Sequence, residues 1–253
     1  MIKKVVVLAA GRGTRMKELG EHTPKPLIPV LGKPFLHFLL TNLTKAGFEE
    51  VIMVTGHLSD QVEQFMQESK ELFPKFQTIN QFEIMGEDKY GTLVPLLAAK
   101  EVLNGDPFVV VNGDNLFSLQ DLQKMGQGAN GYHLVAGIRK ENPVQYGTLV
   151  PQEDHMLLRI DEKVPEPESN IINAGAYTFL PEVFEVVGNV QPNTTNGEYY
   201  ITEALTQLTD RSGVKIMELE DYWLDFGKPE DIPVVESFIR DNDLYDLYGV
   251  ERT

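Results

Sequence analysis

The sequence predicts an α/β protein with a mostly parallel central sheet flanked by helices. In the first half of the chain, apolar strand patterns alternate with amphipathic helical patterns four times, as in successive β-α units. The second half is richer in strands, which indicates a smaller mixed β region. The chain has 253 residues, of which 42% are hydrophobic, and this is enough to bury a sizeable core.

The elements of the first half follow one another regularly. KKVVVLAA is a continuous apolar strand. PFLHFLLTNLTKAG predicts a helix that ends at Gly47, with one apolar face formed by Phe35, Leu36, Leu39, Leu40, Leu43 and Ala46. EEVIMVTG predicts a strand, and SDQVEQFMQESKELF predicts a helix capped by Ser59 or Asp60. QTINQFEI, TLVPLLAAKEVL and PFVVVNGD continue the alternation of strand, helix and strand.

The second half contains four further strand patterns with few long helices between them. These are YHLVAGI, YGTLVPQ, MLLRIDEK and IINAGAYTFL. Strands without long crossover helices do not form a parallel sheet. We therefore expect a mixed β region placed over the first sheet.

The composition argues against several classes of protein. A net charge of −16 argues against nucleic acid or an anionic membrane as partner, and the absence of cysteine excludes disulfides, thiolate zinc sites and a cysteine nucleophile. No apolar run is long enough to span a membrane, and no signal-peptide pattern occurs, so we expect a soluble cytoplasmic protein. Residues 1–34 nevertheless hold seven basic and two acidic residues, which form a cationic patch in an acidic chain.

The stretch LAAGRGTRM joins the first strand to a turn with two glycines. Ligands of open parallel sheets bind beyond the carboxyl ends of the strands, where glycine-rich backbone and arginine side chains suit phosphate. The dinucleotide fingerprint needs a third glycine where Met16 stands, and the P-loop needs Gly-Lys-Ser/Thr where this chain has Gly-Thr-Arg. In TPKPL, two prolines stiffen the segment that carries Lys25. These residues predict an anion-binding loop of another kind.

LAAGRGTRM and TPKPLIPVLGKP together resemble the signature of sugar-1-phosphate nucleotidylyltransferases. Later segments are similar to further motifs of that family: GTLVPL, VVVNGDN, YGTLV, IDEKV, NAGAY, GEYYITEAL and WLDFGKPED. The resemblance implies a Rossmann-like nucleotidyltransferase fold in one domain over residues 1–253, with nucleotide bound by residues 1–140 and sugar phosphate by residues 141–253. It also implies attack by a sugar-1-phosphate on the α-phosphorus of a nucleoside triphosphate, with release of pyrophosphate.

The resemblance assigns roles to individual residues. Arg15, Lys25 and Asp114 would be catalytic, because two polyanions must be brought together and the charge on the α-phosphate neutralised. Asp114 and Asp225 would bind Mg²⁺, which prefers few carboxylates together with phosphate oxygens and water. The nucleotide would contact Leu8, Ala9, Ala10, Gly11, Gly13, Thr14, Arg15, Gly91, Thr92 and Asp114. The sugar phosphate would contact Gly147, Glu162, Lys163, Asn173 and Glu198, the last at the start of a helix.

One position departs from the family pattern. Relatives that use uridine or thymidine nucleotides have a glutamine shortly before the Gly-Thr segment, and Gly86 stands there in this chain. Gln81 lies nearby but out of register, so the backbone of residues 8–11 or another side chain would read the base. UTP or dTTP is favoured, with CTP and GTP open.

Two other functions fit parts of the sequence. A cytidylyltransferase acting on phosphocholine or a polyol phosphate shares the opening motifs, but Glu162, Asn173 and Glu198 argue against it. A non-catalytic subunit that senses nucleotide-sugars would not need the catalytic and metal-binding side chains. The hexapeptide repeats that relatives with a second activity carry are absent from this sequence, so we expect the transferase domain alone. The sequence leaves the sugar and a homo-oligomer open.

Overall fold

Strands and helices alternate along the computed structural model, which describes residues 1–11, 13–71, 73, 75–103 and 105–252. Arg12 of the cationic patch lies outside these residues. The strands are β1 Lys4–Leu8, β2 Pro29–Val30, β3 Lys33–Pro34, β4 Glu50–Thr55, β5 Phe76–Asn80, β6 Phe108–Asn112, β7 Asn115–Phe117, β8 His133–Arg139, β9 Gly147–Pro151, β10 Leu157–Glu162, β11 Ile171–Phe179, β12 Val214–Glu218 and β13 Trp223–Asp225. The helices are α1 Glu18–His22, α2 Phe35–Ala46, α3 Ser59–Glu68, α4 Gln81–Met85, α5 Val94–Ala98, α6 Leu119–Gln127, α7 Val183–Val187, α8 Ile201–Thr209, α9 Asp231–Asp241 and α10 Tyr245–Tyr248. Short 3₁₀ turns occupy Thr14–Met16, Lys25–Leu27, Lys100–Val102 and Glu153–His155.

One large sheet runs through both halves of the chain, in the order β10-β9-β11-β6-β1-β4-β5, with β8 paired to β11 and β12. Strands β6, β1, β4 and β5 are parallel to one another, which confirms the predicted parallel sheet. Strand β11 pairs antiparallel with β6 and so joins the later strands to the same sheet.

The expected β region placed over the first sheet is therefore wrong, because strands β8 to β12 extend that sheet sideways. A strand pattern in the sequence identifies the strand but not its partner. Two small antiparallel sheets, β13-β7 and β2-β3, lie outside the large one.

Helices cover both faces of the parallel strands. Val5 and Val7 of β1 pack in one apolar layer with α2, α6 and α9, whereas Val6 packs in the other layer with α5 and α8. Successive side chains of a strand point to opposite faces, so a continuous apolar strand needs a layer on each side. Helix α2 ends as predicted, with Gly47 in a left-handed conformation at φ 100.

The start of α3 differs from the prediction. The helix begins at Ser59, and neither Ser59 nor Asp60 caps it, because the preceding residue is Leu58, which provides no capping side chain. The Ser59 hydroxyl instead accepts a hydrogen bond from Asn80 Nδ2 at 3.2 Å. A serine side chain can form another local hydrogen bond instead of capping a helix, and Asn80 at the end of β5 supplies the donor here.

Two other boundaries also differ. Strand β5 ends at Asn80, whose side chain accepts a hydrogen bond from the Phe82 N–H and begins α4, so the residues QFEI are helical. Glu198 lies in the loop before α8, and that helix begins only at Ile201. The expectation that Glu198 begins a helix is wrong.

The C-terminal segment packs on its own chain. The Tyr248 ring is buried edge-on against Phe38, with 4.9 Å between the ring centroids, and the His37 Nε2 donates a hydrogen bond to the Tyr248 carbonyl at 2.8 Å.

No helix in the described part of the chain is both long and apolar enough to cross a membrane.

Candidate active site

The glycine-rich loop follows β1 at the carboxyl edge of the parallel strands. Gly13 has φ 62, and a side chain there would approach the Lys25 Cβ to 3.3 Å. Glycine is therefore required both by the backbone conformation and by the close approach of the TPKPL segment. The glycine-rich loop and the TPKPL segment are packed against each other, as a shared role in anion binding would require.

Lys25 forms an ion pair with Asp114, and both side chains are mostly buried, with 13% and 21% of their surface exposed. Lys25 begins a 3₁₀ turn after Pro24, whose φ is −54. Asp114 follows β6, the strand beside β1. Neighbouring parallel strands thus bring together two residues that are 89 positions apart in the sequence.

The antiparallel pair β7-β13 brings Asp225 to the same place. Asp225 is paired in register with Asn115, whose Nδ2 donates to Asp225 Oδ1 at 3.3 Å, and the Phe226 N–H donates to the Asp114 carbonyl at 2.9 Å. Burial and the nearby Asp114 carboxylate raise the pKa of Asp225 above its ordinary value of 3.8. The two carboxylates repel each other, and a cation between them would relieve that repulsion.

This donor set fits Mg²⁺. The ion prefers one or two protein carboxylates and completes its coordination with phosphate oxygens and water. Among the described residues, no group of three or more His, Asp or Glu side chains could hold a metal by itself. A metal at Asp114 and Asp225 would therefore depend on ligands that the substrates supply.

Two cavities meet at Thr92, Asn112 and Asp114, which line both of them. The larger has a volume of about 770 Å³ and lies over the ends of β1 and β6. The smaller, about 560 Å³, contains the side chain of Asp225 and the ends of β9 and β10. Two adjoining cavities that share a carboxylate suit two substrates that react with each other.

The larger cavity gathers most of the predicted nucleotide residues. It is lined by Leu8, Ala9, Ala10, Gly11, Thr14, Lys25, Gly91, Thr92 and Asp114. Gly13 is not part of its lining, and Arg15 lines the smaller cavity, where its guanidinium lies beside Gly227. Gln81, which the sequence put out of register, also lines the larger cavity.

The smaller cavity gathers Gly147, Glu162, Lys163, Asn173 and Asp225. A side chain at Gly147 would come within 2.9 Å of Glu162 Oε1, so glycine leaves room for that carboxylate. Asn173 Nδ2 donates to the Tyr177 hydroxyl at 2.9 Å, which fixes the amide. Glu198, which the sequence grouped with these residues, lines the larger cavity instead.

Sequence reasoning gave no role to several groups of the smaller cavity. The Lys140 ammonium lies 5.0 Å from the centroid of the Trp223 ring, and Trp223 Nε1 donates to the Ala174 carbonyl at 2.9 Å. Asp231 Oδ2 accepts hydrogen bonds from the N–H groups of Gly227 and Lys228 at 2.8 and 2.9 Å and so shapes the turn after Asp225. The PED triplet, whose aspartate is the first residue of α9, was the only sequence signal for this turn.

Two loops are joined beside the larger cavity. The Tyr199 N–H donates to the Tyr90 carbonyl at 2.9 Å, and the Leu93 N–H donates to the Tyr199 carbonyl at 3.0 Å. Gly91 lies between them at φ 120, where a side chain would clash with the Tyr199 backbone. The Gly-Thr segment is thereby attached to the loop that carries Glu198.

Comparison with known proteins agrees with this geometry. The family model for nucleotidyl transferases matches residues 4–242, so the chain belongs to that family, as its motifs predicted. It is 29% identical to the bifunctional protein GlmU of Methanocaldococcus jannaschii over 96% of this chain and 56% of that protein. It is 32% identical to the mannose-1-phosphate guanylyltransferase catalytic subunit beta of Xenopus tropicalis, over 90% of this chain and 62% of that one.

The fold is shared with solved structures. A UDP-glucose pyrophosphorylase complexed with UDP-glucose superimposes with a TM-score of 0.82 over 96% of this chain and all of that one, at 22% identity. The chain spans little more than half the length of the archaeal GlmU protein, 56%.

Proposed function

We propose that the protein transfers a nucleotidyl group from a nucleoside triphosphate to a sugar-1-phosphate, giving a nucleotide-sugar and pyrophosphate. The observation that carries the proposal is the Lys25–Asp114 ion pair at the junction of two cavities, with Asp225 beside it. A cation and two carboxylates at such a junction suit a reaction between two anionic substrates.

In this proposal the larger cavity takes the triphosphate. Backbone N–H groups of the glycine-rich loop would bind phosphate oxygens, and the Lys25 ammonium would neutralise charge that builds up on the α-phosphate. Arg15, which extends toward the smaller cavity, would hold phosphate groups near the turn at Gly227.

The smaller cavity would take the sugar-1-phosphate. Glu162 would accept hydrogen bonds from hydroxyl groups of the sugar, and Asn173 would donate hydrogen bonds to them. Lys163 would approach the phosphate. An oxygen of that phosphate would attack the α-phosphorus as the bond to the β-phosphate breaks. Mg²⁺ bound by Asp114 and Asp225 would supply charge neutralisation for the phosphates.

The relatives' names support the acceptor class. GlmU-like proteins match most of this chain, and a bifunctional sugar-1-phosphate nucleotidylyltransferase/acetyltransferase of Sulfurisphaera tokodaii is 30% identical over 94% of it. The names differ in the base, since they include a guanylyltransferase and a uridine-dependent enzyme.

The test is release of pyrophosphate with four triphosphates and a panel of sugar-1-phosphates and alcohol phosphates, with Mg²⁺ and with excess chelator. We expect turnover with a sugar-1-phosphate, loss of turnover in chelator, and loss in Lys25→Met. The exposed Lys70 gives a matched control, and Lys70→Met should behave as wild type. Turnover only with phosphocholine or a polyol phosphate would contradict the proposal, as would binding of nucleotide-sugars without turnover of any pair.

A further inference from the structure

The end of the larger cavity that is remote from Asp114 is lined by hydrogen-bond acceptors. Asp114 follows β6, whereas Gln81 directly follows β5, three strands away in the sheet, and Glu87 and Asp88 line the same cavity. Neighbouring strands lie about 4.8 Å apart, so roughly 14 Å separate the ends of β6 and β5. If phosphates lie at Lys25 and Asp114, the base lies at Gln81, Glu87 and Asp88.

Gln81 is a buried amide without a complete set of partners. Only 4% of its surface is exposed, and its side-chain oxygen accepts no hydrogen bond from the described residues. A buried polar group that lacks a partner is costly, unless a ligand completes its hydrogen bonds. Gln81 begins α4 and lines the cavity, so a ligand N–H is the group that it lacks.

Glu87 and Asp88 add two carboxylates to the lining of the same cavity. Both side chains are exposed, and neither forms an ion pair within the described residues. Lys25 is the only lysine or arginine among the described residues that line the larger cavity, and it pairs with Asp114 at the other end. Away from Lys25, the described lining of the larger cavity therefore offers hydrogen-bond acceptors and no lysine or arginine side chain.

We infer that the preferred base is guanine. Its Watson–Crick edge carries the N1–H and the N2 amino group side by side, which one carboxylate can accept together, with a further N–H for Gln81. Uracil and thymine carry one N–H between two carbonyl oxygens, which would face the carboxylates and be repelled. Cytosine and adenine carry a single exocyclic amino group. This inference rests on the proposed function, since it takes the larger cavity as the nucleotide site, and it replaces the sequence-based preference for UTP or dTTP.

The experiment is calorimetric binding of GTP, ITP, XTP, ATP, CTP and UTP with Mg²⁺ and without acceptor. We expect GTP to bind at least about tenfold more tightly than UTP and CTP, and ITP, which lacks the N2 amino group, to lose about tenfold relative to GTP. No variant is needed for this comparison.

Two variants locate the carboxylate. Either Glu87→Gln or Asp88→Asn should weaken GTP binding about tenfold and strengthen binding of XTP, whose O2 carbonyl needs a donor. A gain for XTP cannot arise from damage to the fold. Glu83→Gln is the matched control, because Glu83 lies on α4 outside the cavity lining, and it should leave both affinities unchanged.

Two results would overturn the inference: UTP or CTP binding as tightly as GTP, or unchanged GTP affinity in both variants. Neither depends on turnover. GTP preference without any pyrophosphate release would contradict the proposed function and leave the base assignment standing, whereas pyrophosphate release from a protein that binds UTP as tightly as GTP would support the proposed function and contradict the base assignment.

Discussion

Replacing Gly91 by alanine tests the attachment of the Gly-Thr segment to the Glu198 loop. Gly91 has φ 120, and an added Cβ would clash with the Tyr199 carbonyl and lie 2.6 Å from the Tyr199 nitrogen. The left-handed conformation costs about 1–2 kcal/mol for a residue with a side chain. The two backbone hydrogen bonds of Tyr199 that would break contribute about 1 kcal/mol each. Together these effects should lower the free energy of unfolding by about 3–4 kcal/mol.

For a chain of this length, such a loss of stability lowers the melting temperature by roughly 6–16 °C. Binding of the triphosphate should weaken at least about tenfold, because the loop conformation that binds becomes a minority state. Scanning calorimetry and titration calorimetry measure the two quantities on the same protein.

Two other glycines separate the causes. Gly249→Ala introduces a left-handed alanine at φ 60 in open space, so it should cost about 1–2 kcal/mol and leave nucleotide affinity unchanged. Gly11→Ala places a methyl group in open space at the wall of the larger cavity, so it should weaken binding without changing the melting temperature. Equal melting temperatures for Gly91→Ala and Gly249→Ala, with unchanged affinities, would refute the reasoning.

Three further variants act at the junction and in the smaller cavity. Asp225→Asn should have a higher melting temperature than wild type at pH 7–8 without Mg²⁺, because the raised pKa of Asp225 means that its ionised form lowers the stability of the folded protein. This difference in melting temperature should vanish as the pH falls toward 4, since Asp225 then takes up a proton. Lys25→Met should lower kcat about 10²-fold, measured as pyrophosphate release. Gly147→Ala should raise the KM for the sugar phosphate and leave nucleotide affinity unchanged, because its methyl group displaces the Glu162 carboxylate.

The first of these predictions fails if Asp225→Asn is no more stable than wild type at neutral pH, or if the difference grows as the pH falls. Mg²⁺ should reduce the difference in melting temperature between Asp225→Asn and wild type, since the cation stabilises only the protein that keeps both carboxylates. For Gly147→Ala, a matched loss of triphosphate binding would show that the two cavities are not independent.

The motifs of the first half predicted the family and much of the site. Glycine turns, prolines around Lys25 and an aspartate after an apolar strand are local patterns, and each requires only its neighbours in the sequence. Strands β8 to β11 of the second half were also predicted, since an apolar strand pattern is recognised without its partner, whereas β12 was not predicted. The family match over residues 4–242 confirms the membership that these motifs implied.

What the sequence determined by itself was therefore the type of each element and the chemistry carried at its ends. The tertiary structure decided which ends meet: β11 beside β6 made one sheet of the two halves, β13 beside β7 brought Asp225 to Asp114, and the short helix α4 turned Gln81 into the larger cavity. Pairing and cavity position depend on packing between distant segments, whose free energies no local pattern contains. For the same reason the sequence did not predict that Arg15 lines the smaller cavity and Glu198 the larger one.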